Sequence, residues 1–185
     1  MLTDIGAPNR EVRQAEDFNG LSGLIIPGGE STTLEKLMRR FGLDVALSAA
    51  IEEGLAVWGT CAGMILLAQE ITNGIPGQTG LGHLPICVER NAFGRQVESC
   101  ETPLQFAPLG DEPFSAVFIR APKVVHRIDD GVEVWARLQE QIVAVRYEKL
   151  MATSFHPELT GDHRLHRLFV DELAGMSSTL RPAHQ

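Results

Sequence analysis

Cysteine, basic charge and long apolar runs are all scarce in this sequence of 185 residues, and each shortage excludes a class of protein. The three cysteines are an odd number at wide spacing, which excludes a disulfide framework and favours a reduced protein. The formal net charge of −8 argues against a nucleic-acid-binding surface. No stretch approaches the roughly 20 apolar residues that span a bilayer, and the start MLTDIGAPNREVRQ lacks the features of a secretory signal. We therefore expect a cytoplasmic protein with no nucleic-acid or membrane partner.

The order of apolar patterns along the chain predicts an α/β fold. In the first half, strand-like runs alternate with helical patterns: LSGLIIPGG (21–29), STTLEKLMRRF (31–41), LDVALSAAIEEG (43–54), LAVWGT (55–60) and AGMILLAQEI (62–71). The second half contains seven short strand-like runs, and residues 159–175 have the spacing of a closing amphipathic helix. We predict one three-layer α/β domain over residues 1–175, with a mixed central sheet and a disordered tail at 176–185.

A lone cysteine lies between a strand-like run and a helical run in VWGTCAGM. Gly59 and Gly63 lie two residues to either side of Cys61, a spacing typical of the tight turn that exposes a nucleophile at the edge of a sheet. A thiolate at the start of a helix is stabilised by the helix dipole, and the N–H of Ala62 would face an oxyanion formed there. The alternative at this point is a small buried thiol.

A base for this thiol is offered by ATSFHPEL, where an apolar strand ends in His156. Glu158, two residues later, is placed to orient the imidazole, so the two residues would complete a Cys-His-Glu triad with Cys61. His163 and His166 lie one helical turn apart, but no third metal ligand accompanies them, and we interpret the pair as a solvated helix face.

A glycine turn in LIIPGGEST follows another predicted strand. Its backbone N–H groups are suited to holding an oxyanion, although an ordinary turn capped by Ser31 is the alternative. The turn is not a phosphate-binding P-loop, because the G-x-x-x-x-G-K-[ST] pattern is absent and Glu30 would repel a phosphate.

Together, PGGESTT (27–33), GTCAGM (59–64), ERNAFGRQ (89–96), FIRAP (118–122) and SFHPELT (154–160) resemble the glutaminase subunits of pyridoxal 5′-phosphate synthase, the PdxT/SNO family of class I glutamine amidotransferases. The resemblance implies a flavodoxin-like α/β/α fold with a mostly parallel sheet. It also implies hydrolysis of L-glutamine to glutamate and ammonia without a cofactor or metal. The ammonia would pass to a partner, a (β/α)8-barrel synthase subunit that makes pyridoxal 5′-phosphate.

The resemblance also assigns roles to residues. Cys61, His156 and Glu158 match the triad, and the backbones of Gly29 and Ala62 match the oxyanion hole. The glutamine-binding positions of the family are matched by Gly29, Glu30, Ser31, Arg90, Ile119 and Arg120. A zwitterionic amino acid needs a cation for its carboxylate and an anion for its ammonium, and Arg90 and Glu30 are the candidates for these two jobs.

The chain departs from the family pattern at its start. The family opens with a strand resembling IGVLALQG and a helix, whereas this sequence opens with MLTDIGAPNREVRQ. We therefore expect the first strand and most of the first helix to be lacking, through a start assigned too far downstream or a truncated form. Two alternative functions follow from the sequence: a truncated, non-catalytic module that only binds the synthase, and the glutaminase subunit of another amidotransferase.

Overall fold

A mixed β-sheet forms the centre of the structure. The computed structural model describes residues 1–92 and 99–175. Within these residues the strands are β1 (Gly23–Ile26), β2 (Ala56–Thr60), β3 (Ala68–Thr72), β4 (Leu84–Glu89), β5 (Ser99–Leu104), β6 (Phe114–Ile119), β7 (Lys123–Arg127), β8 (Glu133–Leu138), β9 (Gln141–Tyr147) and β10 (Leu150–Thr153). The main sheet has the order β1-β2-β10-β9-β7-β4-β3, with β8 paired to β9, and β5 and β6 form a separate ribbon.

Helices cover both faces of the main sheet. They are α1 (Ser31–Arg40), α2 (Leu43–Glu52), α3 (Ala62–Leu67) and α4 (Arg164–Leu168), the last continued by a π-helical turn at Phe169–Leu173. Met38 of α1, Leu47 of α2 and most of α3 belong to one apolar cluster, whereas Leu165 of α4 belongs to a second. Adjacent residues of β2 contribute to opposite clusters, Val57 to the first and Trp58 to the second, as strand alternation requires. The predicted three-layer α/β/α arrangement is confirmed.

Parallel pairing is confined to two parts of the main sheet. Strand β2 pairs in parallel with β1 and β10, and β3 pairs in parallel with β4. The other four pairings of the described strands in this sheet are antiparallel. The mixed sheet is therefore as predicted, but parallel pairs do not predominate. Strands β8, β9 and β10 are joined by two-residue turns, and such short connections join only antiparallel neighbours.

The segment after Cys61 differs from the prediction of one helix over residues 62–71. Helix α3 ends at Leu67, and the chain enters strand β3 directly, with extended backbone at Ala68 (φ −61°, ψ 146°). Pairing of β3 with β4 outweighs the helical propensity of this sequence, because it satisfies backbone groups at the edge of the sheet. The helix prediction is therefore wrong beyond Leu67.

The predicted helix over residues 159–175 also begins later than expected. Pro157–Leu159 forms a 3₁₀ turn, and α4 starts only at Arg164. The side chain of His166 is 4% exposed and lies edge-on against Trp58, with ring centroids 5.0 Å apart. The interpretation of His163 and His166 as a solvated face is therefore wrong for His166.

The N-terminal segment contains two 3₁₀ turns, Thr3–Ile5 and Ala15–Phe18, and residues 1–22 contain no strand. No helix within residues 1–92 and 99–175 is long and apolar enough to cross a membrane. Residues 93–96 of the ERNAFGRQ motif and the predicted tail at 176–185 lie outside the described residues.

The buried imidazole of His166 makes the stability of the fold sensitive to acid. Its Nδ1 atom has no hydrogen-bond partner among the described residues, and burial lowers the pKa of His166 to about 4, with the nearby Glu158 carboxylate opposing this shift. The unfolded chain binds a proton near pH 6.5, whereas the folded chain does not until about pH 4. The free energy of unfolding should therefore fall by about 2 kcal/mol between pH 6.5 and 5.

We expect His166→Gln to remove most of this dependence, measured by urea denaturation at several pH values. His163→Gln, three residues earlier, is the matched control and should keep the slope of the unsubstituted protein. An unchanged slope in His166→Gln would contradict the prediction.

Candidate active site

Cys61 occupies a strained turn between β2 and α3. Its backbone has a φ of 49° and a ψ of −101°, a conformation that residues with a side chain seldom adopt. The Cys61 N–H donates to the carbonyl of Thr153 at 2.8 Å, and its carbonyl accepts from the N–H of Met64 at 3.1 Å. The turn is thus held by β10 on one side and by α3 on the other.

The two glycines of the G-x-C-x-G pattern are required by close backbone contacts. A Cβ atom on Gly59 would lie 2.4 Å from the carbonyl carbon of Gly63, and a Cβ on Gly63 would lie 2.4 Å from the carbonyl oxygen of Ile26. Real Cβ atoms do not approach other atoms this closely. The spacing of the glycines therefore lets the start of α3 pack directly on the ends of β1 and β2.

His156 reaches Cys61 from the neighbouring strand. Strands β2 and β10 are adjacent and parallel, with Thr60 opposite Thr153, so their carboxyl ends meet at one edge of the sheet. The His156 N–H donates to the carbonyl of Val117 at 2.8 Å, which fixes the backbone beyond the strand. The structure therefore brings the cysteine and the histidine together although 95 positions separate them in sequence.

Glu158 completes the predicted constellation. The 3₁₀ turn at Pro157–Leu159 folds its carboxylate back onto the imidazole, with 2.8 Å between His156 Nδ1 and Glu158 Oε1. This contact leaves Nε2 of His156 for Cys61. The imidazole thus lies between the Cys61 thiol and the Glu158 carboxylate and interacts with both.

The charges of this series stabilise a proton on the imidazole. Hydrogen bonds to Cys61 and to Glu158 raise the pKa of His156 well above its ordinary value, although burial opposes the shift. Burial raises the pKa of the Glu158 carboxyl, but the hydrogen bond from His156 and the positive charge of that imidazole outweigh it, and the pKa is lowered. The arrangement therefore favours an imidazolium at His156, which is placed to act as the proton donor and acceptor for a cysteine nucleophile.

Gly28 is a site residue that the sequence analysis did not single out. A Cβ atom at this position would lie 2.3 Å from Cε1 of His156 and 3.4 Å from Cβ of Cys61. Any side chain here would displace the imidazole. The Gly-Gly pair was visible in the sequence, but nothing in it indicated which glycine faces the histidine.

Three of the predicted substrate-binding residues form a second network beside the glycine turn. Glu30 caps α1 by accepting from the N–H groups of Thr32 and Thr33, with 2.7 Å between Oε2 and the Thr33 nitrogen. Its Oε1 also lies 3.2 Å from an Nη atom of Arg90. The hydrogen bond from the Thr32 hydroxyl is the main cause that lowers the pKa of Glu30 to about 2, so its carboxylate stays charged.

Gln78 links the remaining members of this network and was missed by the sequence analysis. Its Oε1 accepts from Arg90 at 2.8 Å, and its Nε2 donates to the hydroxyl of Ser31 at 3.0 Å. Gln78 lies in a glycine- and proline-rich loop without a recognisable motif, so no local signal pointed to it. The structure thus joins Glu30, Ser31 and Arg90 through contacts that are distant in sequence.

The other predicted site residues lie around the same edge. The Ile119 carbonyl is 4.0 Å from Sγ of Cys61, and Arg120, with a φ of 44°, follows it at the surface. Gly29 has a φ of 144°, which favours glycine, and Ala62 is the first residue of α3, where the helix leaves N–H groups without helical partners. Within the described part of the chain, the side chain of Arg120 makes no hydrogen bond or ion pair with the other candidates.

Among the residues that the structure describes, no group of three metal-ligating side chains includes Cys61 or His156. In the described ranges, His163 and His166 do not form part of any group of three side chains suited to a metal.

Comparison with known structures gives the class of protein. A crystal structure described as a glutamine amidotransferase matches with a TM-score of 0.86 and 52% identity, covering 94% of this chain and 90% of that chain. The structure of PurLQS from Thermotoga maritima matches with a TM-score of 0.51 over 88% of this chain and 82% of that one, and at 16% identity it shows a shared fold alone. The fold is that of the glutamine amidotransferases.

Sequence comparison narrows the class to one family. The profile of the SNO glutamine amidotransferase family matches residues 1–175. Pyridoxal 5′-phosphate synthase subunit PdxT of Thermus thermophilus is 56% identical over 176 residues, which is 95% of this chain and 90% of that protein. The PdxT subunit of Parafrankia sp. is 55% identical over 170 residues, covering 92% of this chain and 83% of that protein. The chain belongs to the SNO glutamine amidotransferase family.

The glycine contacts of the turn can be tested by stability. Helix propensity alone predicts that Gly63→Ala stabilises the protein by about 1 kcal/mol. The contact with the Ile26 carbonyl predicts the opposite, and we expect Gly59→Ala and Gly63→Ala each to lower the free energy of unfolding by about 3 kcal/mol in urea denaturation. Gly161→Ala, which meets no atom within 4 Å, is the control and should be nearly neutral. Stabilisation by Gly63→Ala would show that the close contact does not limit packing.

Proposed function

We propose that this protein is a glutaminase that hydrolyses L-glutamine to L-glutamate and ammonia. The observation that carries the proposal is the placement of Cys61, His156 and Glu158 together at the carboxyl ends of two parallel strands, with the imidazole between the thiol and the carboxylate. Membership of the SNO glutamine amidotransferase family supports the same reaction. We assign the activity to a single domain over residues 1–175.

The first half of the reaction is acyl transfer to the cysteine. The Cys61 thiolate attacks the carbon of the side-chain amide, and the N–H groups of Gly29 and Ala62 stabilise the resulting oxyanion. The imidazolium of His156 gives its proton to the nitrogen of the collapsing intermediate. The carbon–nitrogen bond breaks, ammonia leaves, and a glutamyl thioester remains on the sulfur.

The second half is hydrolysis of the thioester. His156, now neutral, takes a proton from water as the water oxygen attacks the thioester carbon. The sulfur leaves as a thiolate, glutamate is released, and the imidazolium is restored. Glu158 accepts a hydrogen bond from Nδ1 throughout, which holds the imidazole in one orientation. Acyl transfer of this kind requires neither a metal nor an organic cofactor.

The charged ends of the substrate are assigned to the network beside the glycine turn. The Nε atom of Arg90 is buried and has no hydrogen-bond partner among the described residues, so the guanidinium has a donor left for the substrate carboxylate. Glu30 remains anionic and is suited to the substrate ammonium, although it also caps α1. Ser31, Ile119 and Arg120 would line the remainder of the glutamine site.

The ammonia is proposed to pass to a second protein. The relatives in Thermus thermophilus and Parafrankia sp. are named as subunits of pyridoxal 5′-phosphate synthase. We infer that this chain also docks on a synthase subunit, a (β/α)8 barrel that receives the ammonia directly for pyridoxal 5′-phosphate synthesis.

Removal of the nucleophile is the first test. We expect Cys61→Ala to lower ammonia release from glutamine by about a thousandfold or more, measured with the synthase subunit present, because no thioester can form. Docking should persist, as judged by co-elution with the synthase subunit in size-exclusion chromatography. Cys100→Ala, which removes a half-buried thiol on β5, is the matched control and should keep full activity. Full activity of Cys61→Ala would refute the proposed mechanism.

Substrate binding by Arg90 is tested separately. Arg90→Gln should raise KM for glutamine about 100-fold and change kcat much less, because the carboxylate partner is lost in both the ground state and the transition state. Arg146→Gln, which removes a partly exposed arginine paired with Glu133, should leave KM unchanged. A fall in kcat at constant KM would assign Arg90 to the chemistry and not to binding.

A further inference from the structure

Three side chains suited to a metal lie in a row across neighbouring strands, away from the proposed active site. Glu70 of β3 is paired with Cys87 of β4, and Cys87 is paired with His126 of β7. One potential ligand atom from each side chain lies within 4.8 Å of the other two. The row occupies the β4–β3 end of the sheet, whereas Cys61 and His156 follow β2 and β10.

Two irregularities in strand pairing create this row. Continuation of the Ala68–Leu84 register would place Glu70 opposite Ile86, but a shift in register places it opposite Cys87. Between β4 and β7, continuation of the Glu89–Lys123 register would place Val125 opposite Cys87. A second shift, between Val88 and Cys87, places His126 there instead. Bulges commonly redirect a side chain near functional sites. Here two separate register shifts bring two ligating side chains beside the same cysteine.

The cysteine is buried but lies outside both apolar clusters. Ile86 and Val88, its neighbours on β4, are fully buried in the cluster beneath the sheet, whereas Cys87 belongs to neither apolar cluster. Cys87 is 2% exposed, and Glu70 and His126 are exposed. The sulfur therefore lies at the floor of the group, and the carboxylate and imidazole lie at its rim.

The three groups match the ligand preferences of zinc. Thiolate, imidazole and carboxylate bind Zn²⁺ at about 2.0–2.3 Å, so adjacent ligand atoms of a tetrahedral site are about 3.5 Å apart. Side-chain rotation can close the remaining gap, because neither Glu70 nor His126 takes part in an ion pair within the described part of the chain. A thiolate, a carboxylate and a neutral imidazole carry two negative charges, which balance the ion.

Without a cation, the negative charge of Glu70 disfavours loss of the proton from the Cys87 thiol. Burial, and then the charge of Glu70, raise the pKa of Cys87, so the thiol stays protonated near neutral pH. Binding of a divalent cation would exchange this proton for a metal–sulfur bond and release the proton to solvent.

We propose that Glu70, Cys87 and His126 bind one Zn²⁺ ion, with water in the fourth position, and that the ion ties the edge strand β3 to β4 and β7. The site is a binding site that strengthens the sheet edge and takes no part in glutamine hydrolysis.

The test uses the full chain with Cys61→Ala, because Cys61 and His156 could also bind zinc. Zn²⁺ affinity is measured by competition with a chromophoric chelator, and Co²⁺ is added to detect the sulfur-to-metal charge-transfer absorption. We expect one equivalent to bind with this absorption. A further Cys87→Ser substitution should abolish the absorption and weaken Zn²⁺ binding about 100-fold, and Glu70→Gln or His126→Gln should weaken it at least 10-fold.

Two controls match these variants. Cys100→Ser removes another thiol, and Glu89→Gln removes another carboxylate on β4, where it pairs with Lys123. Both should leave Zn²⁺ affinity and the Co²⁺ spectrum unchanged. Zinc at 100 times its dissociation constant should raise Tm by about 5 °C or more in the Cys61→Ala protein and not after Cys87→Ser.

Equal Zn²⁺ affinity with and without Cys87→Ser would overturn the proposal, as would a Co²⁺ complex without the charge-transfer absorption. If Cys87→Ser does not fold, the Glu70→Gln and His126→Gln variants test the proposal, because both residues are exposed. Unchanged Zn²⁺ affinity in both variants would overturn the proposal. None of these measurements depends on glutaminase activity, so their failure would leave the proposed function untouched.

Discussion

The arrangement of the candidate active site depends on one close contact, the approach of Gly63 to the carbonyl of Ile26. With no side chain between them, the first turn of α3 lies against the ends of β1 and β2. The chain enters the helix through the turn at Cys61, which has a positive φ, and the sulfur is held at the sheet edge. The adjoining strand β10 then supplies the Thr153 carbonyl that fixes Cys61 and, three residues later, the histidine.

His156, just before the Pro157–Leu159 turn, and His166 of α4 show how strongly its surroundings determine the charge of a histidine. His156 contacts a thiol and a carboxylate, and its pKa is raised. His166 is buried beside the indole of Trp58, and its pKa is lowered to about 4. At neutral pH the first therefore carries a proton and the second does not. Glu158 lies near both imidazoles, but only His156 is protonated at neutral pH. The carboxylate therefore pairs with His156, and the neutral His166 does not compete for it.

Features set by neighbouring residues were predictable from the sequence, and features set by distant pairing were not. The glycine spacing around Cys61 and the His-Pro-Glu turn are local, and both predicted the observed geometry. The end of α3 at Leu67 depends on pairing with β4, which begins 17 residues later. The apolar periodicity of residues 62–71 did not indicate this end. Gln78 and the register shifts beside Cys87 likewise depend on partners from other strands and loops. The burial of His166 was missed because helical spacing alone does not show which face meets the sheet.

The chain passes directly from β2 through Cys61 and α3 into β3, so no residue can be inserted or removed here without moving the residues that follow. No loop separates these elements, so the number of residues between positions 56 and 72 determines the direction in which each side chain points. One inserted residue in α3 would turn everything after it by about 100° around the helix axis, and one inserted in β3 would exchange the two faces of that strand. Length variation among homologous chains should therefore be absent from this segment and should accumulate in the loops at the opposite ends of the strands.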